Sequence, residues 1–86
     1  MVFYGAGEVM QIAHALAKEL GLEVMGVVDD DAEKQGVVKD GLKVQAPGVI
    51  GELEADVVLI TTFRHARKIR RRIRPVRSPV PLVREL

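Results

Sequence analysis

Apolar residues fall in short blocks along the chain, and the spacing inside each block predicts a structural element. Val2 to Tyr4 is a brief apolar run of the kind that forms a buried strand, and it passes directly into Gly5-Ala6-Gly7. Within Glu8 to Leu20 the apolar positions Val9, Ile12, Ala13, Leu16, Ala17 and Leu20 recur every third or fourth residue. That period predicts an amphipathic helix with these side chains inward. His14 falls off the stripe and reads as solvent-exposed. Gly21 then supplies a left-handed stop. "LEVMGVV", Leu22 to Val28, reads as a second strand that ends on Asp29-Asp30-Asp31, and Ala32 to Gln35 as one helical turn before Gly36.

The stretch "GVVKDGLKV" places Asp-Gly between short apolar segments, a signal for a tight hairpin or for a turn leading into a short strand at Leu42 to Val44. Pro47 and Gly48 open a short helix or turn through Leu53. "ADVVLITT" follows as the clearest strand, with Val57 to Ile60 in a continuous apolar run, the form of a parallel strand buried on both faces. From Phe63 to Arg74 a second amphipathic helix turns Ala66, Ile69 and Ile73 inward and its basic residues mostly outward. Pro75 ends it. The tail "VRSPVPLVREL" supplies a last strand, and Pro79 and Pro81 confine it to a sheet edge because proline donates no ladder hydrogen bond.

Strands alternating with helical segments imply βαβ units on a parallel sheet. Right-handed crossovers place the helix after strand one and the helix after strand four on opposite faces. The expected fold is therefore α/β: a three-layer α/β/α Rossmann-like half with about five strands in the order 3-2-1-4-5.

With 86 residues the chain has room for one domain with one core. Its composition is 48% hydrophobic and 29% charged, as in an ordinary globular chain. No apolar stretch is long enough to cross a membrane, the N-terminus lacks a signal-peptide pattern, and a cytoplasmic location is expected. The absence of cysteine excludes disulfides, thiolate metal sites and thiol nucleophiles within the chain. The net charge of +1 conceals an asymmetry, since residues 1 to 56 carry 4 basic and 11 acidic side chains and residues 57 to 86 carry 9 basic and 1 acidic. Such a split steers an anionic ligand or a partner surface, or is neutralised internally across the fold.

The candidate chemistry lies at the glycine turn. In a dinucleotide fingerprint the first glycine permits a tight turn, the second lets backbone approach a pyrophosphate and the third allows close helix packing. Gly5 and Gly7 match the first two, whereas Met10 stands at the third and would hold the helix slightly away from the strand. The context adds to the match, because a helix N-terminus favours an anion. Asp29, 22 residues beyond Gly7, sits where an acid accepts hydrogen bonds from ribose hydroxyls, and its charge favours NAD over NADP. Asp30 is grouped with it as a candidate contact, although Asp30 and Asp31 also read as turn or cap residues. Thr61 and Thr62 end the strand beside the first one, at the switch point where open α/β sheets bind ligands, and Thr62 also reads as a helix cap. Arg64 and His65, in the first turn of the next helix, are within reach of a phosphate or carboxylate. The sequence shows no catalytic triad, paired-carboxylate site or zinc cluster. The basic run "RHARKIRRRIR" reads as a solvated face or a contact surface for another domain before it reads as a DNA contact, given 3% aromatic residues and no preceding helix-turn-helix pattern.

Taken together, "YGAGEVMQIAHAL", "EVMGVVDDDAEKQG" and "DVVLITTF" resemble the N-terminal Rossmann-like, CoA-binding-like domain of bacterial nucleotide-sugar epimerase/dehydratases, and a similar layout occurs in the N-terminal domain of bacterial sugar O-acyltransferases. The resemblance covers residues 2 to 75. It implies that Gly5, Ala6, Gly7, Glu8 and Asp29 contact a nucleotide, with Val9 beside them, and that catalysis resides elsewhere in a longer chain. Met10 departs from the family pattern, in which a small residue is usual.

The expected function is binding of NAD or another nucleotide by a domain that senses or holds and does not itself catalyse. A DNA-binding module elsewhere in a parent chain would make it an effector domain of a transcriptional regulator, as redox-sensing repressors use a Rossmann domain. The alternatives are a cofactor- or nucleotide-sugar-binding fragment of an epimerase/dehydratase-type enzyme, and a scaffold domain with an empty site that forms a homodimer. The chain reads as a single domain excised from a longer one, and its expected partners are a nucleotide-type small molecule and another domain of that chain.

Overall fold

A computed structural model describes residues 1–53, 55–62 and 82–85 of the chain. The elements run β1 (Val2–Tyr4), α1 (Glu8–Glu19), β2 (Gly26–Val28), β3 (Val38–Lys39), β4 (Leu42–Gln45), a 3-10 turn (Pro47–Val49), α2 (Ile50–Leu53), β5 (Val57–Ile60) and β6 (Leu82–Glu85). The predicted helix Phe63–Arg74 and its Pro75 stop lie outside the described residues.

The sheet is ordered β3-β4-β2-β1-β5-β6. Strands β4, β2, β1, β5 and β6 are mutually parallel, while β3 pairs antiparallel with β4. This is the α/β class expected, and the order differs from the expected one by the added edge strand β3. The last strand forms the opposite edge, beside β5. Strand β1 therefore lies between β2 and β5, with its carboxyl end at the point where the strand order departs to one side toward β2 and to the other toward β5.

Alternation along the strands divides the core into two layers. Val2, Tyr4, Val28, Val58 and Ile60 pack with Ile50 of α2 and Ala55 on one face. Phe3, Val27 and Val44 pack with Met10, Ala13 and Ala17 of α1 on the other, together with Ala6. At roughly 25 cal/mol per Å² of apolar surface, this two-sided burial is the main stabilising contribution for a chain without disulfides. The covering is uneven on β5. Val58 and Ile60 are buried but Val57 and Leu59 are only half-buried, so the apolar run is not enclosed on both sides as expected.

Helix α1 is rotated relative to the face its spacing predicts. Met10, Ala13, His14 and Ala17 are buried, whereas Ile12, Leu16 and Leu20 are 61%, 51% and 71% exposed. The predicted and the buried stripes share Ala13 and Ala17, whose small side chains allow close approach, and the sheet takes Met10 beside them in place of Ile12 and Leu16. The helix ends in a C-terminal motif in which the Leu22 N–H donates to the Ala17 carbonyl and the Gly21 N–H to that of Lys18. This capping role draws Leu22 away from the sheet, and β2 begins at Gly26 instead of Leu22.

His14 is buried, contrary to the exposed role read from its position. Its Nδ1 shares a 2.7 Å hydrogen bond with Asp40 Oδ2, and its ring meets Phe3 edge-on with centroids 6.1 Å apart. Asp40 and Gly41 form the two-residue loop of the β3–β4 hairpin, both at positive φ (50° and 82°), as the Asp-Gly signal predicted. The His14–Asp40 bond thus ties that hairpin to α1. We expect Asp40→Ala to lower stability by about 1–3 kcal/mol, because the buried imidazole loses its partner and alanine resists the left-handed backbone. Asp40→Asn keeps both a partner atom and a residue tolerant of that conformation, and should cost less. Urea denaturation of the three chains tests this ranking.

Candidate functional site

The carboxyl ends of β1 and β5 and the loop after β2 surround an open crevice of about 520 Å³. Sites for small organic ligands typically measure about 300–1,000 Å³. The crevice is lined by Gly5, Ala6, Gly7, Glu8 and Val9 from the glycine turn and the start of α1, by Asp29 and Lys34 from the loop after β2, and by Thr61 and Thr62 after β5.

Its floor is a set of short hydrogen bonds between neighbouring strand ends. The Gly5 N–H donates to the Val28 carbonyl at 2.8 Å, the Thr61 N–H to that of Tyr4 at 2.9 Å, and the Thr61 hydroxyl to the Gly5 carbonyl at 2.6 Å. Gly5 has φ +121°, and a Cβ there would sit 3.1 Å from the Thr61 carbonyl carbon and oxygen and from Thr62 Cβ. Only glycine fits that corner. Gly7 differs. Its φ is −104°, open to any residue, and a Cβ there would meet nothing within 4 Å.

Gly7 is the N-cap of α1 and supplies no side-chain cap. The first N–H groups of an α-helix have no intrahelical partner, so this end presents donors and a partial positive charge to the crevice. One amide of the turn, just before the helix, is already engaged: the Ala6 N–H donates to Asp29 Oδ2 at 2.8 Å. Asp29 Oδ1 accepts from the Asp31 N–H, also at 2.8 Å. The carboxylate expected to meet a ribose is therefore also the group that holds the glycine turn against the end of β2.

Asp30 does not line the crevice. Its Oδ1 accepts a 2.7 Å hydrogen bond from the Tyr4 hydroxyl, which satisfies the polar tip of a core side chain. Asp31 starts the turn that follows: its Oδ1 accepts from the Glu33 N–H at 2.9 Å, and its carbonyl accepts from the Lys34 and Gln35 N–H groups. This is the single helical turn predicted for Ala32 to Gln35. Gln35 Nε2 closes the loop by donating to the Asp29 carbonyl.

That turn brings Lys34 back beside Asp29, with Nζ 3.8 Å from Oδ2. Sequence reading missed Lys34, although a lysine one helical turn beyond the end of β2 is a signal that could have found it. Met10 is fully buried in the α1 layer and does not line the crevice, so its bulk affects packing and leaves the mouth open. Thr61 is buried in the floor and Thr62 is half-buried at the wall. Arg64, His65 and the capping role expected of Thr62 for the predicted helix after it lie outside the described residues. Among the described residues no cluster of His, Asp and Glu side chains could hold a metal ion, and no helix is long and apolar enough to cross a membrane.

Residues 1–79 match the family described as C2185-like, N-terminal. No curated protein matches the chain. Among solved structures, the crystal structure of RSP, a Rex-family repressor, is similar with a TM-score of 0.73 at 11% identity, covering 99% of this chain and 51% of that one. RSP in complex with β-NADH gives a TM-score of 0.66 at 12% identity, again over 99% of this chain and 51% of the other. At these identities the likeness shows a shared Rossmann-like fold, and the chain spans about half the length of the structures it matches.

Proposed function

The chain belongs to the C2185-like N-terminal family, and from that premise we propose that it is a nucleotide-binding regulatory domain whose crevice takes an NAD-type dinucleotide. The observation that carries the reading is Gly7. Neither its backbone angles nor its packing calls for glycine, yet it stands at the start of α1 with open space before it. A residue without a side chain there leaves the approach to the helix amides clear, which is what a pyrophosphate requires. The NADH complex of the similar repressor supports the same class of ligand.

In this reading the pyrophosphate lies against Gly7 and the first amides of α1, with Glu8 and Val9 at its edge. The adenosine ribose reaches Asp29, whose carboxylate has about four lone-pair directions and spends two on the Ala6 and Asp31 amides. Two remain for hydroxyl donors. Thr62 forms the opposite wall, above Thr61 in the floor. In this reading the domain holds its ligand and does not transform it; among the described residues the crevice lining includes no histidine and no nucleophile–base pair. Another module of a longer protein then reads whether the crevice is filled.

Amide NMR of the 86-residue chain tests this during titration with NAD, NADH, a UDP-sugar and CoA. Shifts at Gly5, Gly7 and Asp29 that saturate with a dinucleotide are the expected result. Shifts confined to the basic segment 63–74, with none at the glycine turn, would reject it in favour of a scaffold with an empty crevice.

A further inference from the structure

We propose that Lys34 determines specificity at the ribose end of the crevice and allows it to accept a ribose that carries a phosphate as well as one with a free diol. This rests on the nucleotide-binding reading above. A lone carboxylate at the end of β2 selects the free diol by repelling a 2′-phosphate. Asp29 is not alone. Lys34 lines the same crevice with its Nζ 3.8 Å from Asp29 Oδ2, so these two side chains offer a ligand one positive and one negative group.

The geometry leaves the ammonium available. A separation of 3.8 Å exceeds the 2.7–3.2 Å of a hydrogen bond, so its three donors are not committed to the carboxylate in a tight pair. Asp29 is meanwhile held in place by two backbone amides at 2.8 Å and keeps its position whether or not Lys34 moves. Lys34 itself is carried on a closed turn, with the Lys34 and Gln35 N–H groups donating to the Asp31 carbonyl and Gln35 Nε2 to the Asp29 carbonyl. Swinging the side chain away from Asp29 costs one partly exposed ion pair, which is a weak interaction. A phosphate on the ribose would receive that ammonium in a charge-assisted contact. With a free diol, Asp29 accepts from the hydroxyls and Lys34 donates to an oxygen. The two side chains thus serve both ligands, and the preference for NAD over NADP expected from Asp29 alone is removed.

The test measures the affinity of the intact chain and of Lys34→Gln for NADH and for NADPH in parallel, by titration calorimetry at fixed salt. The parent chain should bind the two within about tenfold of each other, and Lys34→Gln should weaken NADPH by about tenfold or more while changing NADH by less than about threefold. Asp29→Asn should move the ratio in the opposite direction. If the parent binds NADH but NADPH more than about a hundredfold more weakly, or if Lys34→Gln affects both ligands equally, the role of Lys34 is overturned and the nucleotide reading stands. If the parent binds neither dinucleotide, both fall together.

Discussion

Gly5→Ala should lower the stability of the chain by about 3 kcal/mol or more. Alanine at φ +121° adopts a backbone conformation that costs about 1–3 kcal/mol. Its Cβ must also fit 3.1 Å from two backbone atoms of Thr61 and from Thr62 Cβ, and overpacking of that kind adds about 1–3 kcal/mol because backbone cannot rotate aside. For a domain of this size each kcal/mol moves the melting temperature by roughly 4–8 °C. Circular dichroism melts of the two chains should therefore separate by more than about 10 °C. A difference of only a degree or two would mean that β1 and β5 do not approach at Gly5 as described.

The second glycine of the turn should answer in the opposite way. Gly7→Asp places a carboxylate at the uncapped N-terminus of α1, where it can accept from the helix amides and complement the dipole, and stability should stay level or rise by a few tenths of a kcal/mol. Nucleotide binding should fall by about a hundredfold or more, because the new charge occupies the place of a phosphate and repels it at close range. A thermal melt and an NADH titration on the same preparation give both answers. Loss of binding without loss of stability separates a ligand contact from a folding requirement. Unchanged affinity in Gly7→Asp would place the phosphates away from α1.

The contrast between these glycines was only partly visible in the sequence. The pattern "YGAGEVM" marks a tight turn between strand and helix, but the reasons for glycine differ: at Gly5 the wall is Thr61, 56 residues away, and at Gly7 there is no wall. Local spacing carries no information on either. The order of the parallel strands was legible because strand-like and helical segments alternate along most of the chain, and the crossover rule then leaves few arrangements. The inward face of α1 was legible only at Ala13 and Ala17. Ile12, Leu16 and Leu20 make the side of the stripe away from Met10 the more hydrophobic one, yet the sheet takes Met10 with the two alanines, and periodicity cannot rank the two sides by how closely each lets a helix approach. His14 follows from the same error, since its rotation toward the sheet and its bond to Asp40 depend on a hairpin 26 residues downstream. Asp29 was placed at the crevice by spacing alone, whereas its bond to the Ala6 amide, and Lys34 beside it, emerged only when the loop after β2 closed on itself.

The ties among Gly5, Val28, Tyr4 and Thr61 have a thermodynamic meaning for whatever enters the crevice. Groups already fixed lose little conformational entropy when a ligand arrives, so contacts made with that floor appear almost undiminished in the binding free energy. Among the described residues the ordering cost falls chiefly on the long rim side chains of Glu8 and Lys34. Affinity should accordingly respond far more to pre-setting those two rotamers than to any further stiffening beneath them.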